Sequence, residues 1–283
     1  MNIKQLIEQL EKDFIKPSMV DDWSKQTESI KEYLTEQYKQ RSIGLMCDFT
    51  NEINHVYTAV FLSKEVMEKI LKNPQENSML FVHHPANWDL KQAPNVFEQI
   101  DPELVKQFKQ KNISIYNLHG PLDNYGDYST SANLAKMLSI EIEKPFAPYL
   151  GTLCGVFGKT DLRTVQELKE RFESVVNHKV SLYNYGDEVI KDGKVAVIGG
   201  GGNSLDLTKW IAEEGINTFV TGITVKNQRA EEAHNYLQQN KINLLGGTHY
   251  STEKFACISM LNYFKNLGLT AEFVEESPGM EDL

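Results

Sequence analysis

The sequence has few cysteines, no cluster of basic residues and no long apolar run, and each shortage excludes a class of protein. Its 283 residues include three cysteines, and Cys47, Cys154 and Cys257 are isolated from one another. An odd number of isolated cysteines excludes a disulfide framework and a Cys-x-x-Cys zinc or redox site. Residues 1–16 are charged throughout and contain no apolar run long enough for a signal peptide or a membrane span. These properties predict a protein of the reducing cytoplasm.

The charge balance is acidic, with 39 acidic and 29 basic residues and a formal net charge of -10. Without a lysine or arginine cluster, this balance argues against nucleic acid or an anionic membrane as the partner. The hydrophobic content of 41% and the charged content of 24% are those of an ordinary soluble globular protein. The length allows two lobes or one large α/β domain.

Short apolar runs of strand length alternate with amphipathic stretches, and this alternation predicts an α/β fold built from βαβ units. The predicted strands are 43–47, 56–62, 79–82, 113–118, 153–157, 195–198, 218–221 and 242–245. The predicted helices are 3–14, 23–38, 64–72, 102–110, 131–138, 162–172, 205–213 and 227–240, followed by one that begins at or just before His249.

Local signals around these elements give four further expectations. Ser63 is the expected N-cap of helix 64–72, and Thr160 and Asp161 are expected to cap helix 162–172. Residues 146–149 are expected to connect two lobes. The acidic last residues, 275–283, are expected to be frayed.

Two adjacent histidines, His83 and His84, follow the apolar strand 79–82 and precede Pro85. Neighbouring residues of a strand point to opposite faces, so the pair can serve one metal only if the strand breaks, and otherwise serves two. Pro85 predicts such a break, because proline cannot extend the hydrogen-bond ladder. The alternative is a pair of surface histidines at a strand end.

Two more histidines follow predicted strands, and each has a carboxylate four residues further on. His119 precedes Asp123 in a turn-rich loop, and His249 and Glu253 share one face if a helix starts at His249. Strand ends line the crevice where α/β sheets bind ligands. Three or more imidazoles and two carboxylates suffice for two metals about 3.5–4 Å apart. The alternative for Glu253 is a carboxylate favoured by the helix dipole beside an incidental histidine.

The remaining polar signals are weaker. His55, His178 and His234 lie in polar surroundings and are expected at the surface. The glycine run after strand 195–198 leads into helix 205–213, and exposed N–H groups there would bind an anion such as a phosphate. The expected substrate-binding residues are Gly200, Gly201, Gly202 and Asn203. The alternative is a tight structural turn.

The ordered set of motifs resembles the NGG-interacting-factor-three-like family, whose members are dinuclear-metal proteins that carry the name GTP cyclohydrolase I type two homologue. The resemblance spans roughly residues 44 to 273. The motifs that carry it are His83-His84-Pro85, His119-x-x-x-Asp123, Thr221-Gly222 and Gly247-Thr-His249-Tyr-Ser-Thr-Glu253. The family's usual Trp-Asp-Asn-x-Gly-Leu stretch appears here only as Ser42-Ile-Gly-Leu45, and Ile223 stands where an acidic residue often follows Thr-Gly.

The resemblance implies a two-lobed α/β subunit of mixed sheets flanked by helices, with lobes at 1–145 and 146–283. It implies two divalent metal ions, which can be zinc, manganese, iron or nickel. The implied metal ligands are His83, His84, Asp123, His249 and Glu253, with Glu253 bridging the metals and His119 beside them. The last helix of the second lobe would contribute ligands to a metal site shared with the first lobe.

Two functions follow from this resemblance. The first is a metal-dependent hydrolase that acts on GTP or another nucleotide, with His119 as general acid or base. The second is a non-enzymatic metal-binding protein that serves as a scaffold, a metal reservoir or a regulatory partner.

The resemblance also implies a toroidal homohexamer. Purified protein is therefore expected to have a mass near six times the 32.3 kDa of the subunit. Light scattering at micromolar concentration measures this mass, and a monomer there would refute the toroid.

Overall fold

The computed structural model describes residues 1–92 and 96–283. The α-helices of the described residues are α1 Ile3–Phe14, α2 Glu36–Arg41, α3 Lys64–Lys72, α4 Pro102–Gln110, α5 Gly120–Asp123, α6 Thr130–Met137, α7 Val165–Val176, α8 Leu205–Glu213, α9 Glu231–Gln239 and α10 His249–Asn266. Short 3-10 helices lie at Glu28–Tyr33, Leu90–Gln92, Lys191–Gly193 and Met280–Asp282. None of the described helices is both long and apolar enough to cross a membrane.

The strands form two mixed sheets. They are β1 Gly44–Cys47, β2 His55–Phe61, β3 Ser78–His84, β4 Ile113–Asn117, β5 Glu141–Tyr149, β6 Thr152–Lys159, β7 Ser181–Tyr183, β8 Lys194–Val197, β9 Thr218–Thr221, β10 Asn243–Gly246 and β11 Thr270–Phe273. The first sheet has the order β1-β4-β3-β2-β11, and the second has the order β5-β6-β8-β9-β10-β7. The predicted fold class, mixed sheets flanked by helices, is confirmed.

The chain divides into two compact units. The first comprises Met1–Leu122, Leu150–Thr152 and Cys257–Ser277, and the second comprises Asp123–Tyr149, Leu153–Ala256 and Pro278–Leu283. The assignment of 1–145 and 146–283 to two lobes stays a prediction.

The first unit is built around β3, which is buried along its whole length. It pairs in parallel with β2 on one side and with β4 on the other. A strand buried on both faces reads as a continuous apolar run, which is why this element is visible in the sequence. Helices α3 and α4 bury their apolar faces in the same core. Ser63 caps α3 as predicted, since its side chain accepts a hydrogen bond from the Val66 amide.

The second unit is built in a similar way around the parallel strands β8, β9 and β10. The connecting helices α8 and α9 pack their apolar faces against this sheet. In both units, parallel strands direct their carboxyl ends to one edge of the sheet, where α/β folds bind ligands.

Two expectations about secondary structure are wrong. Residues 23–38 form the 3-10 helix Glu28–Tyr33 and the short α2, with Trp23 outside both. Residues 146–149 end strand β5 instead of forming a connection. Prolines at 145 and 148 hide this strand in the sequence, and they are tolerated because β5 lies at the edge of its sheet.

Helix α7 begins three residues later than predicted, at Val165. Its cap is Thr164, whose side chain and that of Glu167 form a reciprocal capping box. Thr160 and Asp161 have other roles, because Thr160 Oγ1 accepts from the Leu162 amide and Asp161 pairs with Arg171.

The C-terminal segment is held in place, so the expectation that 275–283 is frayed is also wrong. In the first unit, Glu276 accepts hydrogen bonds from Ser63 Oγ at 2.6 Å and from the Phe61 amide at 3.2 Å. Burial raises the pKa of the Glu276 carboxyl to about 7, outweighing the opposing effect of these hydrogen bonds. In the second unit, Asp282 is 2% exposed.

Glu276 makes stability depend on pH in a defined window. The folded-state pKa lies above the ordinary value of 4.5, so the stabilisation is complete below about pH 4.5 and is lost as the pH rises through about 7. The free energy of unfolding of Glu276→Gln should therefore exceed that of the wild type by about 1–3 kcal/mol at pH 8 and equal it at pH 4.5. Urea denaturation at both pH values measures this difference.

The matched control is Glu275→Gln, since Glu275 is exposed and its own contact to Lys69 uses the backbone carbonyl. An equal gain in both variants, or a gain that does not change with pH, would contradict the assignment.

Candidate metal-binding groups

Three histidines meet at one edge of the first sheet. His83 and His84 end β3, and His119 follows the neighbouring parallel strand β4. Each offers a ring nitrogen that lies within 4.8 Å of those of the other two. All three side chains are buried, so the alternative of surface histidines at a strand end is excluded.

The predicted strand break before Pro85 is wrong, because β3 runs through His84. The rings of His83 and His84 are nevertheless adjacent, with their centroids 4.3 Å apart. Side chains of a strand lean along its direction, so two neighbouring rings at a strand end can approach each other past the sheet edge.

The backbone around His83 fixes the orientation of its ring. Its Nδ1–H donates to the Leu118 carbonyl at 3.2 Å, which leaves the lone pair on Nε2. The His83 carbonyl accepts from Asn117 Nδ2 at 2.6 Å, and Tyr38 Oη donates to Asn117 Oδ1. A histidine held in this way by a backbone carbonyl is typical of metal ligands.

Asp21 is a residue of this cluster that the sequence did not indicate. Its Oδ2 lies 2.6 Å from His119 Nδ1. Burial raises the pKa of Asp21, but the hydrogen bond and charge of His119 lower it further, so the net direction is downward. The signal available in the sequence was the acidic pair Asp21-Asp22 beside Trp23. Trp23 was read as a helical core position, yet its ring packs edge-on against His84 and His119.

The second unit brings together the other predicted ligands. Helix α10 starts at His249 as expected, and His249 Nε2 lies 3.2 Å from Glu253 Oε2 one turn later. Asp123 offers an oxygen within 4.8 Å of an oxygen of Glu253, and Thr130 Oγ1 donates to Asp123 Oδ1 at 2.7 Å. All three are buried. Two buried carboxylates this close repel each other, and a bound cation would relieve that repulsion.

The glycine run, residues 199–202, packs against the side chains of Glu253 and His249. Gly200 has φ +69°, a backbone conformation that favours glycine, and a Cβ there would collide with Glu253 Oε1. The expected exposed N–H groups are not found at three positions, because the amides of Gly199, Gly200 and Gly202 donate to Ser131, Thr252 and Thr221. Hydroxyls from distant elements satisfy them, which no local pattern reveals. Substrate binding by Gly200, Gly201, Gly202 and Asn203 stays a prediction.

The start of α10 depends on further contacts that the sequence did not indicate. Asp282 Oδ2 accepts from the His249 amide at 2.8 Å, and the Asp282 carbonyl accepts from the amides of Thr224 and Val225. Thr248 has φ +66°, which is strained for a β-branched residue. Its Oγ1 accepts from the Ser251 amide, so the loop before His249 is closed by its own side chain.

The three remaining histidines lie outside these groups. His234 is 4% exposed, so its expected place at the surface is wrong. Its Nε2–H donates to the Thr224 carbonyl at 3.0 Å, and Tyr185 Oη donates to its Nδ1 at 2.9 Å. His55 and His178 are half-buried, and His178 contacts Ser251 Oγ at 2.7 Å.

Imidazole and carboxylate donors in this number suit divalent first-row metals. The buried histidine, aspartate and glutamate groups can therefore hold a metal ion.

Residues 18–278 match the model of the family described as Duf34/NIF3 (NGG1p interacting factor 3). The chain belongs to this family. The resemblance inferred from the motifs is confirmed.

Two related proteins are distant from this chain in sequence. A protein of Pyrococcus horikoshii named GTP cyclohydrolase 1 type 2 homolog is 26% identical over 243 residues, which are 84% of this chain and 90% of the relative. A protein of Borreliella burgdorferi with the same name is 24% identical over 215 residues, or 75% and 80% of the two chains.

Two solved structures share the fold. The protein ybgI has a TM-score of 0.76 at 19% identity, covering 98% of this chain and 100% of that one. Reduced HcgD from Methanocaldococcus jannaschii has a TM-score of 0.68 at 22% identity, covering 98% of both chains. At these identities the similarity shows the fold alone.

The support of Glu253 by Gly200 can be tested with a single methyl group. Gly200→Ala should lower metal affinity by about 10–100-fold, because the new Cβ displaces Glu253 or forces the turn open. Metal titration followed by calorimetry measures the loss.

The control is Gly201→Ala, whose Cβ would meet only Ile223 Cδ1 at 3.6 Å, an ordinary contact. Equal affinities of the two variants would show that the turn does not support the ligand.

Proposed function

We propose that the predicted ligands His83, His84, Asp123, His249 and Glu253 would hold two divalent metal ions, with Glu253 as the predicted bridge, and that the protein is a hydrolase acting on GTP or another nucleotide. One observation carries the proposal. Each unit buries its own set of donors, three imidazoles in the first and one imidazole with two carboxylates in the second. So many imidazoles and carboxylates are costly to bury within each unit, and a bound cation would offset that cost.

The donors are those of hydrolytic metal sites, and zinc, manganese, iron or nickel would suit them. When bound, a metal pair would supply Lewis acidity and a nucleophile at neutral pH. His119 would hold or move the proton at its Nε2, since its Nδ1–H is engaged by Asp21. Thr130 Oγ1 would keep Asp123 oriented. The names of the relatives support the choice of GTP as the first substrate to test.

The second candidate is a metal-binding protein without turnover, acting as a scaffold, a metal reservoir or a regulatory partner within a homohexamer. One observation favours it. Three amides of the glycine run that were expected to hold a phosphate donate to hydroxyls instead. These three amides therefore contribute less to binding a phosphate than the sequence predicts.

The experiment is a turnover screen of metal-loaded protein on GTP, other nucleotides and simple phosphoesters. Removing a general acid or base lowers turnover by about 10²–10⁴-fold, and His119→Ala should do so with its metal retained. Glu253→Gln should lose most of the metal and all turnover.

His55→Ala is the control, because that ring contacts Thr270 in the first unit and no predicted ligand. Turnover equal to background in the wild type with full metal content would favour the non-enzymatic candidate. Retained metal in Glu253→Gln would refute its role as a bridge.

A further inference from the structure

A buried carboxylate partner for His119 comes from a distant part of the chain. Asp21 lies 98 positions before His119, yet its Oδ2 and the His119 Nδ1 are 2.6 Å apart. The two side chains are 6% and 9% exposed. Carboxylate–imidazole contacts this short and this well shielded from water are charge-assisted hydrogen bonds, roughly twice as strong as neutral ones.

The chemistry of this contact fixes where the imidazole carries its proton. A carboxylate can only accept, so His119 Nδ1 must donate, and in the neutral ring Nε2 is then the nitrogen with the lone pair. The ring offers a nitrogen within 4.8 Å of those of His83 and His84. His119 is therefore held in one tautomer beside two predicted metal ligands.

The segment that carries Asp21 has anchors besides the contact of Asp21 with His119. The amide of Trp23 donates to Ser42 Oγ at 3.0 Å in a buried contact. The Trp23 ring lies edge-on to His119 at 5.1 Å and to Phe97 at 4.9 Å. These contacts limit the rotation of both Asp21 and the imidazole.

The neighbouring Asp22 shows that the pairing is specific to one carboxylate. Asp22 is exposed, and its Oδ1 accepts from the amide and the hydroxyl of Ser24. The acidic pair thus divides into one residue that closes a surface turn and one that is directed at His119.

We propose that Asp21 is the positioning residue for His119, holding the proton on Nδ1 so that proton transfer takes place at Nε2. This inference rests on the proposed function, in which His119 transfers a proton. Replacing the carboxylate by an amide of the same shape permits the opposite tautomer, because the amide can donate to Nδ1. The Ser-His-Asp triad of serine proteases, a different system, loses activity for this reason.

The test uses the full chain with ¹⁵N-labelled histidine and long-range ¹H–¹⁵N spectra at one pH, with His119 assigned by the loss of its signals in His119→Ala. The wild type should show a proton on His119 Nδ1. Asp21→Asn should shift the ring toward the form protonated on Nε2, and the control Asp22→Asn should not. A lone pair on Nδ1 in the wild type, or an unchanged tautomer in Asp21→Asn, would overturn the proposal.

Metal content and turnover of the same variants separate this inference from the proposed function. Asp21→Asn should keep its metal, and where turnover is measured its kcat should fall by about 10²–10⁴-fold with KM unchanged. Loss of metal in Asp21→Asn, by about 10–100-fold in affinity, would identify His119 as a supported ligand and overturn the proposal. Absence of turnover in the wild type would reject the hydrolase and leave the tautomer result as the deciding measurement.

Discussion

The structure depends on the burial of imidazole and carboxylate side chains where parallel strands end. Imidazoles and carboxylates are costly to bury, and the cost is offset only when each group has a fixed partner. In the first unit, the Leu118 carbonyl holds His83 and Asp21 holds His119. In the second unit, Thr130 holds Asp123. Each of these three buried side chains is therefore held by a partner residue.

The second unit supports its ligands with small residues and hydroxyls. Gly200 lets the backbone pass against Glu253, and Thr252 Oγ1 takes the Gly200 amide. Thr248 is strained before His249, at a cost of about 1–3 kcal/mol. Strain of this kind persists only when surrounding contacts determine the conformation, and here the Ser251 amide binds Thr248 Oγ1. The backbone of the glycine run thus packs against Glu253, and its predicted binding of a phosphate stays a prediction.

The sequence was sufficient for features that local patterns encode. Apolar runs such as 79–82 and 218–221 gave strands β3 and β9, and helix spacing with the Ser63 cap gave α3. Because parallel strands end at the same edge, the same patterns placed His83, His84 and His119 together. The patterns failed at β5, where edge prolines mimic a connection, and at 23–38, where helical spacing came from buried positions of an irregular segment.

The supporting residues could not be predicted, because each acts across a long sequence separation. Asp21 and Asp282 stand near opposite ends of the chain in stretches without apolar periodicity, and both read as solvated charge. Asp21 nevertheless contacts His119, and Asp282 accepts from the amide of His249. A carboxylate at either position has no partner until its unit has folded. The orientation of His119 and the first turn of α10 are therefore products of tertiary packing, whereas the predicted ligands are recognised from their positions after strands in the sequence.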